Sequence, residues 1–224
     1  PSAAVAETMV APYNRVPELD EKVAAVIVAP VAANMGVVAP AEGFLDGLRA
    51  ECDRVGALLI LDEVITGFRL APGGAQEVLS VRPDITCFGK VIGGGLPIGA
   101  IGGRTEVMES LSPLGAVFHA GTLSGNPLAT AAGLAALDQL TPDVYELLRD
   151  RASRLSTVLT DACAAAGFAA RFPVVGTLVG IVCGDDAPDP VRDFDDAKAT
   201  DEAAYATFFR AMLDEGVAMA PGAY

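Results

Sequence analysis

The chain has 224 residues, of which 52% are hydrophobic, and its 29 acidic and 15 basic residues give a formal net charge of -14. That apolar content excludes disorder and is enough for one large core, or for a core with a small second domain. The negative charge would repel phosphate backbones and anionic bilayers, so we expect neither a nucleic-acid partner nor a membrane partner.

Irregular spacing separates the four cysteines of the chain, Cys52, Cys87, Cys163 and Cys183. Together with a single histidine, this spacing indicates neither a metal site nor a secreted disulfide framework. The two longest uncharged stretches, 23–41 and 111–137, are interrupted by prolines and glycines and are poor candidates for membrane spans. The first residues lack the basic start and the apolar run of a signal peptide. We therefore expect a reduced, cytoplasmic protein without a metal ion.

A βαβ unit is predicted near the start of the chain. Residues 23–28 form a continuous apolar, β-branched run, which is typical of a strand buried on both faces. Apolar residues then recur at helical spacing from 42 to 55, and Gly56 is placed to end that helix. Residues 57–61 form the next apolar run. A strand, a helix and a strand in this order normally form a right-handed unit with parallel strands.

More elements of the same kind follow along the chain. Strands are predicted at 83–88 and at 97–101, where the second run turns at Gly102 and Gly103. A helix is predicted at 126–140, with Pro127 at its first turn. We expect residues 1–142 to be part of a large α/β domain, with a mostly parallel sheet and helices on both faces.

The predicted elements change in type and length towards the C-terminus. A long helix is predicted from about 141–143 to 166, and β-like runs follow on both sides of Gly176. An acidic loop at 184–196 precedes an amphipathic helix at 202–215. We expect residues 143–224 to comprise a linker helix and part of a small α+β domain.

Three polar residues, Asn34, Asp62 and Lys90, recur at intervals of 28 residues. Each lies at or just beyond the C-terminal end of a predicted strand, which is where open α/β sheets bind their ligands. A lysine, an aspartate and an asparagine at one edge of a sheet suggest an aldehyde cofactor with a basic ring.

Lys90 lies between apolar residues at 87–88 and a glycine cluster at 93–95. Taken alone, it fits an ordinary surface lysine beside a tight turn. Its apolar neighbours would desolvate the amine, however, and desolvation favours the neutral form that attacks a carbonyl carbon. Lys90 is therefore the candidate nucleophile.

The residues around Asp62 each have a structural and a functional interpretation. Asp62 either caps a turn or pairs with a pyridine nitrogen, which would keep the ring protonated and able to accept electrons. Glu63 should face the other way and be structural. Val64 shares the face of Asp62 and is either a core residue or a contact of the ring. Asn34 is either a turn residue or an amide donor to the ring oxygen.

Residues 120–127, Ala-Gly-Thr-Leu-Ser-Gly-Asn-Pro, precede the predicted helix at 126–140. Free N–H groups at a helix N-terminus favour anions, so Thr122 is a candidate phosphate contact. The alternative is that Ser124 or Asn126 caps the helix. The one histidine, His119, is either a satisfied loop residue or a catalytic one.

Three segments together resemble the class III aminotransferases: residues 61–69 (Leu-Asp-Glu-Val-Ile-Thr-Gly-Phe-Arg), residues 88–97 (Phe-Gly-Lys-Val-Ile-Gly-Gly-Gly-Leu-Pro) and residues 120–127. The resemblance runs from about Tyr13 to Ala220. Within these segments, the residues Ile-Thr-Gly-Phe-Arg and Thr-Leu-Ser-Gly-Asn-Pro favour the glutamate-1-semialdehyde 2,1-aminomutase branch over the ornithine and GABA aminotransferases.

The resemblance implies the pyridoxal-phosphate-dependent transferase fold, fold type I, with pyridoxal 5'-phosphate or pyridoxamine 5'-phosphate as cofactor. Lys90 would hold the cofactor covalently, Asp62 would pair with its pyridine nitrogen, and Asn34 would contact its ring oxygen. Thr122 would reach the phosphate held by the neighbouring protomer, so the active unit would be a homodimer. Further cofactor contacts would come from Val64 and Gly121.

The activity implied by the resemblance is conversion of glutamate-1-semialdehyde into 5-aminolevulinate, a tetrapyrrole precursor, by intramolecular amino transfer. Two departures leave alternatives open. Ala29 replaces a usual Glu, and His119 replaces a usual Gln, as in some β-amino-acid aminotransferases. An aminotransferase acting on another ω- or β-amino acid is therefore the first alternative. Family chains are longer and supply a phosphate cup before Tyr13, so a non-catalytic fragment is the second.

Overall fold

The computed structural model describes residues 2–224. Its main sheet has four strands in the order β1-β2-β3-β4, namely Ala25–Val28, Leu58–Asp62, Ile85–Phe88 and Ala100–Gly103. The first three strands are parallel neighbours, whereas β4 pairs antiparallel with β3. The predicted α/β class with a mostly parallel sheet is confirmed.

The helices of the described residues are, in chain order, α1 (Ser2–Val5), α2 (Phe44–Val55), α3 (Gly74–Val78), α4 (Thr105–Met108), α5 (Pro127–Leu137), α6 (Pro142–Ala165), α7 (Phe194–Ala197) and α8 (Glu202–Asp214). Short 3-10 helices follow β1 and β3, at Ala33–Met35 and Lys90–Gly93. Within residues 2–224, no helix combines the length and the apolar character that crossing a membrane requires.

After α6, four two-residue strands form two small antiparallel pairs. Strand β5 (Ala170–Arg171) pairs with β8 (Val182–Cys183), and β6 (Val174–Val175) pairs with β7 (Leu178–Val179). The sequence predicted β structure on both sides of Gly176, and the residues between β6 and β7 indeed turn there, with a φ of 59° at Gly176. The division of the chain into two domains after residue 142 stays a prediction.

Helix α2 covers one face of the sheet and forms the main core with it. Its buried residues recur at helical spacing and pack on Leu59 and Leu61, which are fully buried in β2. Gly56 ends the helix in the left-handed conformation and donates its N–H to the Cys52 carbonyl, as the sequence predicted. The apolar residues of α2 in this core are Phe44, Leu45, Leu48 and Cys52.

The opposite face of the sheet is more open. Ile27 of β1 is 64% exposed and Ile101 of β4 is 43% exposed. The prediction that β1 is buried on both faces is therefore wrong. Strand β1 lies at one edge of the sheet, and its alternate side chains point away from α2. Among the predicted helices, α2 makes most of the contacts with this sheet, and it makes them with β1 and β2.

The predicted end of the fourth strand is also wrong. Gly102 and Gly103 lie inside β4, opposite Thr86 and Ile85, instead of forming a turn. A Cβ at Gly103 would collide with the Asp84 carbonyl oxygen. The glycine is therefore needed for close approach of two backbones and not for a turn.

Two smaller boundaries differ from the prediction. Helix α5 ends at Leu137 and not at 140, because the following residues form a turn before α6. The predicted acidic loop at 184–196 ends in α7, whose first turn is capped by the Asp193 side chain accepting from the N–H of Asp196. A short polar helix of this kind has no apolar period by which to recognise it.

The C-terminal segment packs against the loop after β2. Val175 and Leu178 contact a buried cluster formed by Val31, Val37, Leu70 and Ala75. Tyr145 lies near the start of α6, and its hydroxyl donates a hydrogen bond to the Phe68 carbonyl at 2.9 Å. These contacts connect residues far apart in sequence and hold the loop 64–73 in place.

Candidate active site

The C-terminal ends of β1, β2 and β3 bring the three predicted polar residues to one edge of the sheet. Asp62 is the last residue of β2, and it lies opposite Cys87 of β3 in register. Neighbouring strands are about 4.8 Å apart, so the segment that carries Lys90 leaves the sheet beside Asp62. Asn34 lies in the 3-10 helix after β1.

Lys90 begins its 3-10 helix with a φ of 47°, in the left-handed region. This conformation costs a non-glycine residue about 1–3 kcal/mol and is concentrated at functional sites. The Lys90 side chain is exposed. The expectation that its apolar neighbours desolvate the amine is therefore wrong for residues 2–224, because Lys90 is exposed although Phe88 and Val91 are partly buried.

Glycines let helix α5 press against the 3-10 helix of Lys90. A Cβ at Gly133 would collide with the Ile92 carbonyl oxygen, and a Cβ at Gly94 would collide with the Ala132 carbonyl oxygen. The two backbones therefore touch where only glycine fits. This contact fixes the turn on which the lysine is presented.

Asp62 leaves its carboxylate available at this edge. One oxygen, Oδ1, accepts from the Val64 N–H at 3.1 Å, and within the described residues no cationic side chain pairs with it. Val64 packs beside the residue before the lysine, since a Cβ at Gly89 would lie 3.2 Å from Val64 Cγ1. Burial raises the pKa of the Cys87 thiol, and the nearby Asp62 carboxylate raises it further.

Glu63 has the structural role that the sequence predicted. Its side chain is fully buried and accepts hydrogen bonds from the Thr66 hydroxyl at 2.9 Å, the Ala75 N–H at 2.6 Å and the Gln76 N–H at 2.9 Å. The carboxylate thereby caps the start of α3 and closes the loop that begins at Val64.

Asn34 lies in a strained turn. The pairing of Ala32 with Val38 closes this turn, which contains two consecutive left-handed residues, Gly36 at a φ of 96° and Val37 at 63°. A β-branched residue in that region is an outlier. The Asn34 side chain is exposed and makes no hydrogen bond with the described residues, so its amide is available to a ligand.

The loop before α5 is exposed, including His119, Gly121 and Thr122. Asn126 caps the helix, because its Oδ1 accepts from the N–H groups of Leu128 and Ala129. Asn126, and not Ser124, is therefore the capping residue of α5. The structure does not bring Gly121 or Thr122 to the cavity beside Lys90.

An open cavity of about 730 Å³ lies beside Lys90. Its size is in the range of small-molecule sites. Arg69 is the second cationic residue in the wall, and sequence reasoning assigned it no role although it ends the segment 61–69. The other lining residues are uncharged, namely Ile65, Val91, Gly95, Leu96, Pro97, Ile98 and Leu178.

An amine and an available carboxylate at one edge of the sheet fit an aromatic aldehyde that carries a basic ring nitrogen, although Asp62, Asn34 and Val64 are not among the residues that line the cavity. The amine can condense with the aldehyde, and the carboxylate can pair with the protonated nitrogen. Within residues 2–224, no group of three or more His, Cys, Asp or Glu side chains is arranged to hold a metal ion.

Comparison with known proteins gives consistent results. The sequence matches the family Aminotransferase class-III over residues 3–222. A curated relative, the glutamate-1-semialdehyde 2,1-aminomutase of Syntrophobacter fumaroxidans, is 51% identical over 235 residues, which cover 100% of this chain and 53% of that protein. The chain thus spans about half the length of the curated relatives it matches.

Two solved structures show the same arrangement of the chain. An omega-transaminase from Sphaerobacter thermophilus has a TM-score of 0.88 and 31% identity, over 99% of this chain and 52% of that chain. A glutamate-1-semialdehyde aminomutase variant from Pseudomonas aeruginosa PAO1, in complex with PMP, has a TM-score of 0.81 and 28% identity, over 94% of this chain and 49% of that chain.

Proposed function

The chain belongs to the class-III aminotransferases, and on that premise we propose that it is the cofactor-binding part of an enzyme that converts glutamate-1-semialdehyde into 5-aminolevulinate. The cofactor would be pyridoxal 5'-phosphate, alternating with pyridoxamine 5'-phosphate. The observation that carries the proposal is the strained Lys90 beside the available Asp62 carboxylate at one sheet edge. Two curated relatives, whose sequences are 51% and 52% identical to this chain, support the aminomutase activity.

Each residue of the site has a task in this proposal. When bound, the cofactor supplies an aldehyde that takes up amines and a ring that accepts electrons. Lys90 Nζ would hold the cofactor and would also act as the general acid and base that shuttles the proton of the 1,3-prototropic shift. Asp62 would keep the ring nitrogen protonated. Asn34 would donate its amide to the ring oxygen, and Val64 would pack on the ring.

Covalent labelling tests the proposed attachment site. The chain has three lysines, Lys22, Lys90 and Lys198, so a modified peptide is easily assigned. After reduction of the whole protein with borohydride in the presence of pyridoxal phosphate, we expect the label on Lys90 and on neither other lysine. Lys90→Ala should abolish the label and lower turnover by at least about 1000-fold, while Lys22→Ala should change neither. Undiminished labelling or turnover in Lys90→Ala would refute the assignment.

A second candidate function is transamination of an ω- or β-amino acid, because the omega-transaminase superposes with a TM-score of 0.88. The two reactions differ in their demand for a second substrate. An aminomutase forms product from glutamate-1-semialdehyde alone, whereas a transaminase needs an oxo-acid acceptor. Product formation that depends strictly on added acceptor would favour the transaminase.

We also propose that the active unit is a homodimer in which Thr122 serves the partner's site, with Gly121 beside it. Large apolar side chains of the preceding loop and of α5 are exposed and would suit an interface; they are Leu114 (78%), Phe118 (82%), Leu123 (59%), Leu128 (72%) and Leu134 (64%). The four cysteines are free thiols, which fits a reducing, cytoplasmic location.

Mixing two inactive variants tests the shared site. In a heterodimer of Lys90→Ala and Thr122→Val protomers, one site would combine an intact Lys90 with the partner subunit's intact threonine. Random mixing should then restore about a quarter of wild-type activity, since half of the dimers are mixed and each has one intact site. No recovery would place Thr122 in its own protomer's site. Lys90→Ala mixed with Lys90→Ala is the control and should stay inactive.

A further inference from the structure

Arg69 lines the cavity beside Lys90, and a hydrogen bond to its backbone carbonyl holds it in place. The cavity has two cationic side chains, Arg69 and Lys90, and no acidic residue in its wall. The remainder of the wall is mainly aliphatic. Such a site suits a ligand with a carbon chain and an anionic group at a distance from the reacting end.

The backbone at Arg69 is fixed by buried partners from distant parts of the chain. The Thr177 hydroxyl donates to the Arg69 carbonyl at 2.8 Å, and the Tyr145 hydroxyl donates to the Phe68 carbonyl at 2.9 Å. Both donor residues are buried. Phe68 itself has a φ of 56°, and residues are held in that region only where the surroundings determine it.

The guanidinium of Arg69 makes no ion pair or hydrogen bond with the residues that the structure describes, whereas Arg49 and Arg104 both pair with Asp84. The chain has about twice as many acidic as basic residues, so acidic partners are plentiful elsewhere. An arginine presents a planar fork that binds a carboxylate through two parallel hydrogen bonds.

We propose that Arg69 binds a carboxylate of the substrate while the substrate's reacting end lies at Lys90, so that Arg69 selects substrates with an acid group. This inference rests on the proposed function. The aliphatic wall, including Leu178 and Ile65, would contact the carbon chain between the two ends. A phosphate is a poorer fit, because phosphate sites gather backbone N–H groups and this wall consists largely of aliphatic side chains.

Steady-state kinetics of the whole protein, loaded with pyridoxal phosphate, tests the proposal. Arg69→Gln should raise KM for the carboxylate substrate by about 10- to 100-fold, as expected for loss of a charge-assisted contact, and change kcat by less than about 3-fold. For the uncharged amide analogue of the same substrate, KM should not change. Arg82→Gln, which removes an exposed arginine outside the cavity wall, is the matched control and should behave as wild type.

Two results would overturn the proposal. One is an equal loss for the acid and for its amide, which would show a merely structural role. The other is a fall in cofactor affinity in an absorbance titration, which would assign Arg69 to the phosphate. If Arg69→Gln does not fold, Arg69→Lys decides by the same comparison, since lysine keeps the charge and lacks the fork. Borohydride labelling of Lys90 should persist in these variants, so failure here is distinct from failure of the proposed function.

Discussion

The backbone of Lys90 adopts a conformation that lysine disfavours, with a φ of 47°. The sequence indicated which lysine to choose, because Lys90 follows a predicted strand and precedes a glycine cluster. It gave no sign of the strain, since the pattern of residues around a left-handed lysine does not differ from that of a simple turn. Lys90 lines the open cavity, and backbone strain of this kind is concentrated at functional sites.

A comparison of two substitutions at this position measures the strain. Lys90→Gly should be more stable than Lys90→Ala by about 1 kcal/mol, because glycine adopts the left-handed region freely. At positions with ordinary φ the order is reversed, since glycine gains entropy in the unfolded chain. The free energy of unfolding from urea titration gives the difference. Lys22, at an exposed site, is the control, and there alanine should be the more stable.

At the scale of elements, Asp84 joins a helix and two strands. Its buried carboxylate accepts from the Leu59 N–H at 2.7 Å, from Arg49 at 2.8 Å and from Arg104 at 3.1 Å. Burial alone would raise the pKa of Asp84, but the hydrogen bonds from Arg49 and the Leu59 N–H, with the charges of both arginines, lower it overall. The ion pairs therefore hold α2 and Arg104, the residue after β4, beside the start of β3 only while the carboxylate is charged.

Stability should depend on pH through this residue. Because the pKa of Asp84 is lower in the folded than in the unfolded state, its contribution is complete above the unfolded value of about 4 and is lost as pH falls further. Asp84→Asn should cost about 2–4 kcal/mol at pH 7, and the difference from wild type should shrink below pH about 4. Urea titrations at several pH values measure it.

Asp53 provides the matched control for Asp84. It pairs with the same Arg49 at 2.7 Å, but its side chain is 67% exposed. Asp53→Asn should therefore cost less than about 1 kcal/mol. Equal losses in the two variants would contradict the role assigned to burial.

Helix α5 and the 3-10 helix of Lys90 meet through glycine, and the next prediction concerns that contact. Gly133→Ala should destabilise the protein by about 1–3 kcal/mol through the clash with the Ile92 carbonyl, even though alanine in an open helix position would stabilise it by about 1 kcal/mol. It should also lower turnover by moving Lys90. Gly102→Ala, where no atom lies within 4 Å of the new Cβ, should have neither effect. Thermal unfolding and turnover test both variants.

At the scale of the whole molecule, the open face of the sheet is the main departure from a closed core. Ile27 and Ile101 lie on it, and β1 and β4 are both unpaired edges in residues 2–224. Exposed apolar edges promote association between chains.

The 224-residue chain produced alone should therefore self-associate. Sedimentation velocity at rising concentration should show growing species, and the double substitution Ile27→Lys and Ile101→Lys should reduce them. The double substitution Glu18→Gln and Glu21→Gln, at exposed positions, makes the same change of about +2 in net charge and should not abolish association. Monomeric behaviour of the unmodified chain at all concentrations would contradict the prediction.

The sequence could predict features that depend on residues close together in the chain, and it could not predict features that depend on distant ones. The helical spacing of Phe44, Leu48 and Cys52 predicted α2 and its buried face, and strand ends placed Asp62 and Lys90 at one edge. The exposure of Lys90 and Ile27 could not be predicted, because it depends on what covers a surface and not on the residues that form it. Arg69 was missed for a similar reason, since its fixed position depends on Thr177, 108 residues away.

Helix α6 has 24 residues and is therefore a rod of about 36 Å. Near its start, Tyr145 is attached to the loop that carries Arg69, and further along, Ser156 bonds to the Phe172 carbonyl at 2.6 Å. The helix thus links the loop that carries Arg69 to the residues around the small strand pairs. A change of about 10° in the direction of α6 would move its far end by about 6 Å, so the position of the strands after α6 depends on how firmly Tyr145 is held at the Phe68 carbonyl.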